Sequence, residues 1–225
     1  MKKTLIGASI ALNVVVLIAC LGLWIGGPYL AGKYLMEPRQ ARWVSQFEML
    51  PVQAGDIVVL GDSITEGGIW EELFPELPVR NRGIGGDTTA GVLQRLRQVS
   101  EGKPSRVFLL IGTNDLSGGV PLDTIAANIA EIVEGIGEES PETRVFVQSV
   151  LPRGASYRKD VEQLNAKIKT LITGRAHWID LYPLFLDGAD GSIRDELSND
   201  ELHLTGEGYL LWRDAIAEQL TDQPE

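Results

Sequence analysis

Three side chains in the sequence have the types and spacing needed for acyl transfer. Ser63 follows Gly61-Asp62 directly after an apolar run, and Asp200 lies three residues before His203. A serine hydroxyl is a weak nucleophile at neutral pH unless an imidazole accepts its proton. A carboxylate on the second imidazole nitrogen holds the tautomer that this transfer requires. One turn of chain can bring Asp200 and His203 face to face. The sequence therefore predicts that Asp200 orients His203 and that His203 accepts the proton of Ser63.

The same chemistry needs hydrogen-bond donors for the oxyanion of the tetrahedral intermediate, and losing one donor typically lowers the rate by about 100- to 1000-fold. The candidate donors are the backbone N–H groups of Ser63 and Gly86 and the side-chain amide of Asn114. Glycine at position 86 lets the backbone approach a substrate because it carries no Cβ. Asp62 and Asp115 are expected to tie loops together through backbone N–H groups rather than to act as acids.

Alternating strands and helices are predicted to position these residues. Short apolar runs rich in β-branched residues predict five strands, at residues 57–60, 79–81, 106–111, 144–150 and 176–180. Apolar residues that recur with a helical period predict helices at residues 38–50, 122–136, 161–172 and 207–220. Asp87 is expected to cap a further helix that begins at Thr88 and Thr89. This alternation is typical of a parallel sheet with helices on both faces, whose ligands bind beyond the carboxyl ends of the strands.

Four blocks of this sequence resemble those of the SGNH hydrolases, also called GDSL esterases and lipases. The blocks are Gly61-Asp62-Ser63, Gly86, Gly112-x-Asn114-Asp115 and Asp200-x-x-His203. The four blocks occur in the order typical of the family, and the resemblance extends over about residues 55 to 220. A serine after Gly-Asp can also serve simply as a helix cap, but four blocks together favour a nucleophile. The one departure is Ile64, where the family's first block ends in leucine.

The resemblance implies a fold and a set of residue roles. The fold is a flavodoxin-like three-layer α/β/α sandwich with a five-stranded parallel sheet. Ser63 would be the nucleophile, His203 the base and Asp200 its orienting carboxylate. Ser63, Gly86 and Asn114 would form the oxyanion hole. The supporting residues would be Gly61, Asp62, Gly112 and Asp115. Within the family, the sequence resembles the branch of the platelet-activating-factor acetylhydrolase catalytic subunits and their bacterial relatives, through residues 83–89, 111–114 and 151–154.

The charge distribution excludes some classes of partner. Residues 1–50 carry five Lys/Arg and two Asp/Glu, whereas residues 51–225 carry fifteen and twenty-nine, within a net charge of −11. An acidic body repels nucleic acid and disfavours docking on anionic lipid. With Cys20 as the single cysteine, no internal disulfide or cysteine-based zinc site is available. We expect neither a metal nor a cofactor.

The first residues predict a membrane anchor. After Lys2 and Lys3, residues 5–25 carry no charge, and about 20 apolar residues span a bilayer as a helix. We expect an uncleaved signal anchor at residues 1–28, a linker with an amphipathic helix at 29–50, and a hydrolase domain at 51–225. That domain would then be periplasmic or extracellular. Alternatively, residues 17–20 resemble a lipoprotein processing box that would lipidate Cys20, although the apolar residues after it disfavour this.

These observations predict a serine esterase that acts on short-acyl, chiefly acetyl, esters of a carbohydrate or a similar polar alcohol. The strand-to-helix connections are short, so the sequence offers neither a lid nor a channel for a long acyl chain. One alternative is a lysophospholipase or thioesterase that acts on lipid acyl esters. A second is a catalytically silent glycan-binding protein, which the intact Ser63, His203 and Asp200 disfavour. A homodimer is compatible with the resemblance, but no residue pattern identifies a contact face.

Overall fold

The structure is a computed structural model that describes residues 13–17, 20–22, 24, 26, 27, 34 and 36–221. The chain divides between Trp43 and Val44 into two units. In the first unit, the described residues before residue 28 are helical, and Cys20 is exposed. The domain boundaries expected after residues 28 and 50, and lipidation of Cys20, stay predictions.

The transmembrane helix predicted for residues 1–28 is wrong for the part of the chain that the structure describes. No helix there is both long enough and apolar enough to cross a bilayer. Such a helix needs about 20 consecutive apolar residues. Residues 1–12, 18, 19, 23, 25 and 28 of the predicted anchor lie outside the described residues.

One parallel sheet of five strands forms the centre of the second unit, in the order β2-β1-β3-β4-β5. The strands are β1 (Ile57–Gly61), β2 (Val79–Gly83), β3 (Arg106–Leu110), β4 (Arg144–Gln148) and β5 (His177–Ile179). Each strand agrees with a predicted apolar run to within two residues at either end. The order is that of flavodoxin-like sheets, in which the strand sequence reverses direction between β1 and β3.

One helix precedes the strands, and the others connect the strands or follow the last one and cover the sheet. They are α1 (Glu37–Met49), α2 (Ser63–Glu66), α3 (Trp70–Leu73), α4 (Thr89–Gln94), α5 (Arg97–Ser100), α6 (Thr113–Ser117), α7 (Leu122–Glu139), α8 (Arg158–Leu171), α9 (Tyr182–Phe185) and α10 (Gly206–Thr221), with a 3₁₀ turn at Ala155–Tyr157. The three longest of the described helices are α7, α8 and α10, and they follow the predicted apolar periodicity.

The core forms two apolar layers because side chains alternate across a strand. In β1, Val58 and Leu60 pack with the apolar faces of α7 and α8. The neighbouring residues Ile57 and Val59 point the other way and pack with α10. The same alternation continues in β3 and β4, where Phe108 stacks on Phe146 with ring centroids 4.7 Å apart. Two helical layers therefore enclose the sheet, and its carboxyl edge is left for the loops.

Candidate active site

The predicted site residues lie beyond the carboxyl ends of three adjacent strands. Ser63 begins α2 two residues after β1 ends, and Asn114 lies in α6 just after β3. Gly86 lies in the turn that follows β2. Gly61 is required at the end of β1, because a Cβ there would collide with the Leu110 carbonyl oxygen and with the side chain of the residue four positions on. Close packing of these turns therefore sets where Ser63 emerges.

Ser63, His203 and Asp200 form a continuous hydrogen-bonded chain. The Ser63 Oγ lies 3.0 Å from His203 Nε2, and His203 Nδ1 lies 2.7 Å from Asp200 Oδ2. In the tautomer that fits both contacts, Nδ1–H donates to the carboxylate and Nε2 accepts from the serine hydroxyl. This arrangement can remove the Ser63 proton as the oxygen attacks an electrophile.

A tight turn holds Asp200 in place beside the imidazole. Asp200 Oδ1 accepts the backbone N–H groups of His203 at 2.7 Å and Leu202 at 3.1 Å. Glu201, which lies between Asp200 and Leu202, takes a left-handed backbone conformation with φ of 61°. The hydrogen bond from the His203 side chain, aided by these backbone donors, lowers the pKa of Asp200 to about 2. Asp200 is therefore a carboxylate throughout the pH range in which imidazoles titrate.

The candidate oxyanion donors differ in whether they already donate hydrogen bonds within the protein. Within the described residues, no protein group accepts a hydrogen bond from the backbone N–H of Ser63 or Gly86. Gly86 has a φ of +79°, a conformation that residues with a Cβ rarely adopt. The Asn114 amide donates one hydrogen bond, at 2.8 Å, to the carbonyl oxygen of Asp87. Its second N–H remains as a donor.

Asp62 is a buried helix cap beneath the serine. Its side chain has no exposed surface, and its Oδ1 accepts the Ile64 N–H at 3.0 Å. Burial raises the pKa of Asp62 to about 7, although the Ile64 hydrogen bond opposes this shift. These contacts are those of a structural group that binds a backbone N–H.

Asp115 ties the loop after β3 to the helix after β2. Its carboxylate accepts the Thr89 backbone N–H at 3.0 Å and the Thr89 hydroxyl at 2.6 Å. The hydroxyl in turn accepts a hydrogen bond from Asn128 at 2.9 Å. Gly112, with φ of +126°, makes the turn that places Asp115 there.

Sequence reasoning missed several groups that hold these turns. Glu66 accepts a hydrogen bond from the Gly85 N–H, and the Tyr209 hydroxyl donates to the Ile64 carbonyl oxygen at 2.8 Å. Arg95 forms an ion pair with Asp87 at 2.8 Å. None of these pairs has a recognisable sequence spacing, because each joins separate elements.

The expected Asp87 cap is wrong. Thr88 caps α4 by accepting the Gly91 N–H at 3.2 Å, while the Asp87 carboxylate faces Arg95. One oxygen of the Asp87 carboxylate binds the buried guanidinium, and the other accepts the N–H of Thr88 itself at 3.0 Å.

An apolar groove of about 410 Å³ is lined by residues that follow Ser63 and His203 in the chain, although neither of these two side chains lines it. It lies between the segment that follows α2 and the beginning of α10. Its lining residues are Gly67, Ile69, Glu72, Leu73, Gly206, Tyr209, Leu210 and Arg213. The sequence did not reveal this groove, because its walls are about 140 residues apart in the chain.

Among the residues that the structure describes, no group of three or more His, Cys, Asp or Glu side chains is arranged to hold a metal ion.

Known proteins resemble this chain in both sequence and fold. Residues 59–211 match the GDSL-like Lipase/Acylhydrolase family. The human platelet-activating factor acetylhydrolase IB subunit alpha1 is 34% identical over 183 residues, which cover 75% of this chain and 78% of that protein. A GDSL-like lipase from Bacteroides thetaiotaomicron has a TM-score of 0.72 and 25% identity over 80% of this chain and 96% of its own. A structure from Streptococcus pneumonia, described as a platelet activating factor, has a TM-score of 0.75 and 23% identity, covering 89% and 99% of the two chains.

Proposed function

We propose that this chain, which belongs to the GDSL-like lipase/acylhydrolase family and is an ester-hydrolysing enzyme, acts through Ser63, His203 and Asp200. The observation that carries the proposal is the hydrogen-bonded chain from Ser63 Oγ through the imidazole to the Asp200 carboxylate, with contacts of 3.0 and 2.7 Å. Both distances are those of good hydrogen bonds.

The reaction would proceed in two halves. Ser63 Oγ attacks the ester carbonyl carbon while its proton passes to His203 Nε2. The carbonyl oxygen becomes an oxyanion that the backbone N–H groups of Ser63 and Gly86 and the Asn114 amide stabilise. The intermediate then collapses, and the alcohol leaves with the proton from Nε2. A water molecule, deprotonated by the same nitrogen, releases the acid and restores Ser63.

We propose an acetyl or similarly short acyl group as the one removed. Two observations support this choice. A relative that is 34% identical is named an acetylhydrolase. The loops that bear Ser63, Gly86 and Asn114 are short and mutually cross-linked, which leaves little room for a flexible acyl-chain tunnel. A carbohydrate or similar polar alcohol remains our first candidate for the leaving group, because the catalytic side chains of His203 and Asp200 are about half exposed on an acidic body.

A lipid ester is the second candidate, and the groove favours it. Exposed Ile69 and Leu210 line this groove, which begins within a few residues of both Ser63 and His203. A named platelet-activating-factor acetylhydrolase among the relatives supports this alternative equally. A catalytically silent binding protein is not supported, because the chain belongs to a family of hydrolases.

The first test measures hydrolysis of p-nitrophenyl esters from acetate to octanoate by the full chain and by Ser63→Ala. We expect activity to fall with acyl length, and Ser63→Ala to lose several orders of magnitude in kcat while its unfolding temperature stays unchanged. Ser105→Ala is the matched control, because Ser105 lies next to the amino end of β3, at the opposite edge of the sheet. Wild-type kcat in Ser63→Ala would exclude the proposed nucleophile.

A second comparison distinguishes the two alcohols. Acetylated sugars and acetylated long-chain alcohols are offered to the wild type and to Ile69→Ser. If the alcohol is a carbohydrate, the sugar acetate has a higher kcat/KM than the long-chain acetate. Ile69→Ser then leaves kcat/KM unchanged for both substrates. Preference for the long-chain acetate, lost in Ile69→Ser through a raised KM, would establish the lipid candidate instead.

A further inference from the structure

Arg95 is a buried arginine whose side chain joins separate turns of the site. It is 6% exposed and lies directly after helix α4. Its Nε donates to Asp87 Oδ2 at 2.8 Å. Its Nη2 donates to two backbone carbonyl oxygens, of Gly61 at 3.2 Å and of Arg82 at 3.0 Å. One guanidinium therefore fixes the ends of β1 and β2 and the turn that follows β2.

Two of these three partners are close in the chain to a proposed oxyanion donor. Gly61 is two residues before Ser63, and Asp87 directly follows Gly86. The Asp87 carbonyl oxygen accepts the Asn114 amide at 2.8 Å, which links the third donor to the same turn. The three donors come from three different loops, so their relative positions depend on contacts between loops. Arg95 and Asp87 provide such contacts.

Stability alone does not account for a buried guanidinium at this position. Burying an ion pair costs desolvation free energy, and a well-packed apolar pair of similar volume is often as stable or more stable. What an apolar side chain lacks is a planar fork of N–H groups that can bind a carboxylate and two carbonyl oxygens at once. The contacts of Arg95 use this fork.

We propose that Arg95 is a positioning residue that holds the backbone N–H groups of Ser63 and Gly86 in the geometry that an oxyanion requires. This inference rests on the proposed function, since it assigns a role in the reaction of Ser63. Arg95 acts through Asp87 and the Gly61 carbonyl and does not touch the substrate.

Gly91 offers a second way to disturb the same contacts. A Cβ at position 91 would collide with Asp87 Oδ1, the carboxylate oxygen that accepts the Thr88 N–H. Gly91→Ala therefore moves the Asp87 carboxylate and leaves Arg95 itself unchanged. The two variants share only their effect on the Asp87 turn.

The test compares Arg95→Lys and Gly91→Ala with Thr143→Val. Thr143 is also buried, but its hydroxyl donates to the Pro104 carbonyl oxygen at 2.6 Å next to the amino end of β4, at the opposite edge of the sheet. The measurements are kcat and KM on p-nitrophenyl acetate, the inhibition constant of a short alkyl boronic acid, and the unfolding temperature. The boronate adduct of a serine is tetrahedral, so its binding reports on the oxyanion donors.

We expect kcat to fall about tenfold to a hundredfold in Arg95→Lys and Gly91→Ala, as for a displacement of about 1 Å in a catalytic group, with little change in KM. The inhibition constant of the boronic acid rises by a similar factor. Thr143→Val lowers the unfolding temperature and leaves kcat and the inhibition constant unchanged. If Arg95→Lys does not fold, Gly91→Ala decides by the same measurements.

Two negative results are distinguishable. If Ser63→Ala is inactive, while Arg95→Lys and Gly91→Ala keep the wild-type kcat and inhibition constant, Arg95 is only structural and this inference fails alone. If Ser63→Ala retains wild-type turnover, the proposed function fails and the role of Arg95 fails with it.

Discussion

The His203 side of the candidate site is half exposed, whereas the Arg95–Asp87 pair beside Gly86 is buried. The side chains of His203 and Asp200 are 46% and 48% exposed and lie in a loop. Those of Arg95 and Asp87 are 5% and 4% exposed, and both are held by contacts to other loops. The two sides meet at Ser63. Its hydroxyl is hydrogen-bonded to His203, and its backbone N–H is one of the proposed oxyanion donors.

The difference follows from what each side must do. In the proposed mechanism His203 changes its charge during every turnover, and a group near water can do so without burying an unpaired charge. The oxyanion donors only have to be in the right place, and fixed dipoles stabilise a developing charge best when they need no reorganisation. We therefore expect substitutions on the exposed side to alter chemistry, and those on the buried side to alter stability as well.

The largest expected effect is that of Asp200→Asn. Without the carboxylate the imidazole loses its preferred tautomer, and the cost in enzymes with this arrangement is about 10⁴-fold in kcat. Because Asp200 is exposed, the free energy of unfolding should change by no more than about 1 kcal/mol. Steady-state kinetics and urea unfolding measure the two quantities. Asp195→Asn, at an exposed position in the same segment, is the control. A large loss of stability would contradict the separation of the two sides.

Arg95→Met should have the next largest effect, on stability. It leaves the Asp87 carboxylate buried without its partner, which costs about 3–5 kcal/mol. Urea unfolding measures the loss directly. The matched control is Arg158→Met, which removes an exposed ion pair to Glu162 at 3.0 Å and should lower the free energy of unfolding far less, because exposed ion pairs contribute little to stability. Equal losses in the two variants would show that burial does not distinguish these pairs.

Asp62 gives a smaller, pH-dependent effect. Its folded-state pKa of about 7 lies above the ordinary value of 3.8, so the folded protein retains a proton that the unfolded chain has lost between these values. The contribution of Asp62 to the free energy of unfolding therefore decreases as pH rises from about 4 to about 7. The decrease is about 4 kcal/mol at most, since one pKa unit corresponds to about 1.4 kcal/mol.

Asp62→Asn tests this expectation, because asparagine keeps the cap on the Ile64 N–H and carries no charge. Urea unfolding of both proteins between pH 4 and pH 8 should give a stability difference that grows with pH in favour of Asp62→Asn. A difference that is constant with pH would contradict the raised pKa.

Local patterns in the sequence were sufficient for the strands and for the pairing of Asp200 with His203. Apolar runs such as 106–111 mark a strand that is buried on both faces, and a three-residue spacing fits a single turn. The Arg95–Asp87 pair has no such signal, because an arginine within a helical segment is ordinarily a solvent-exposed residue. Its burial depends on how α4 packs against the ends of β1 and β2, and this packing is a property of the whole fold.

The difference between local patterns and tertiary contacts also explains which features the sequence predicted wrongly or did not reveal. Asp87 before a helix has the local pattern of a cap, but the tertiary contact with Arg95 takes its carboxylate. The apolar groove combines Ile69 with Leu210, which only the sheet and its covering helices bring together. Charge and hydropathy patterns also predicted the transmembrane helix, which is absent from the described residues.

The most direct test of the central claim is to trap the acyl-enzyme. The protein is mixed with p-nitrophenyl acetate, quenched in acid during turnover, digested and analysed by mass spectrometry. The account predicts one acetyl group on the peptide that contains Ser63, in the wild type and in Ser105→Ala, and none in Ser63→Ala. Steady turnover with acetyl on another residue, or undiminished turnover in Ser63→Ala, would contradict it.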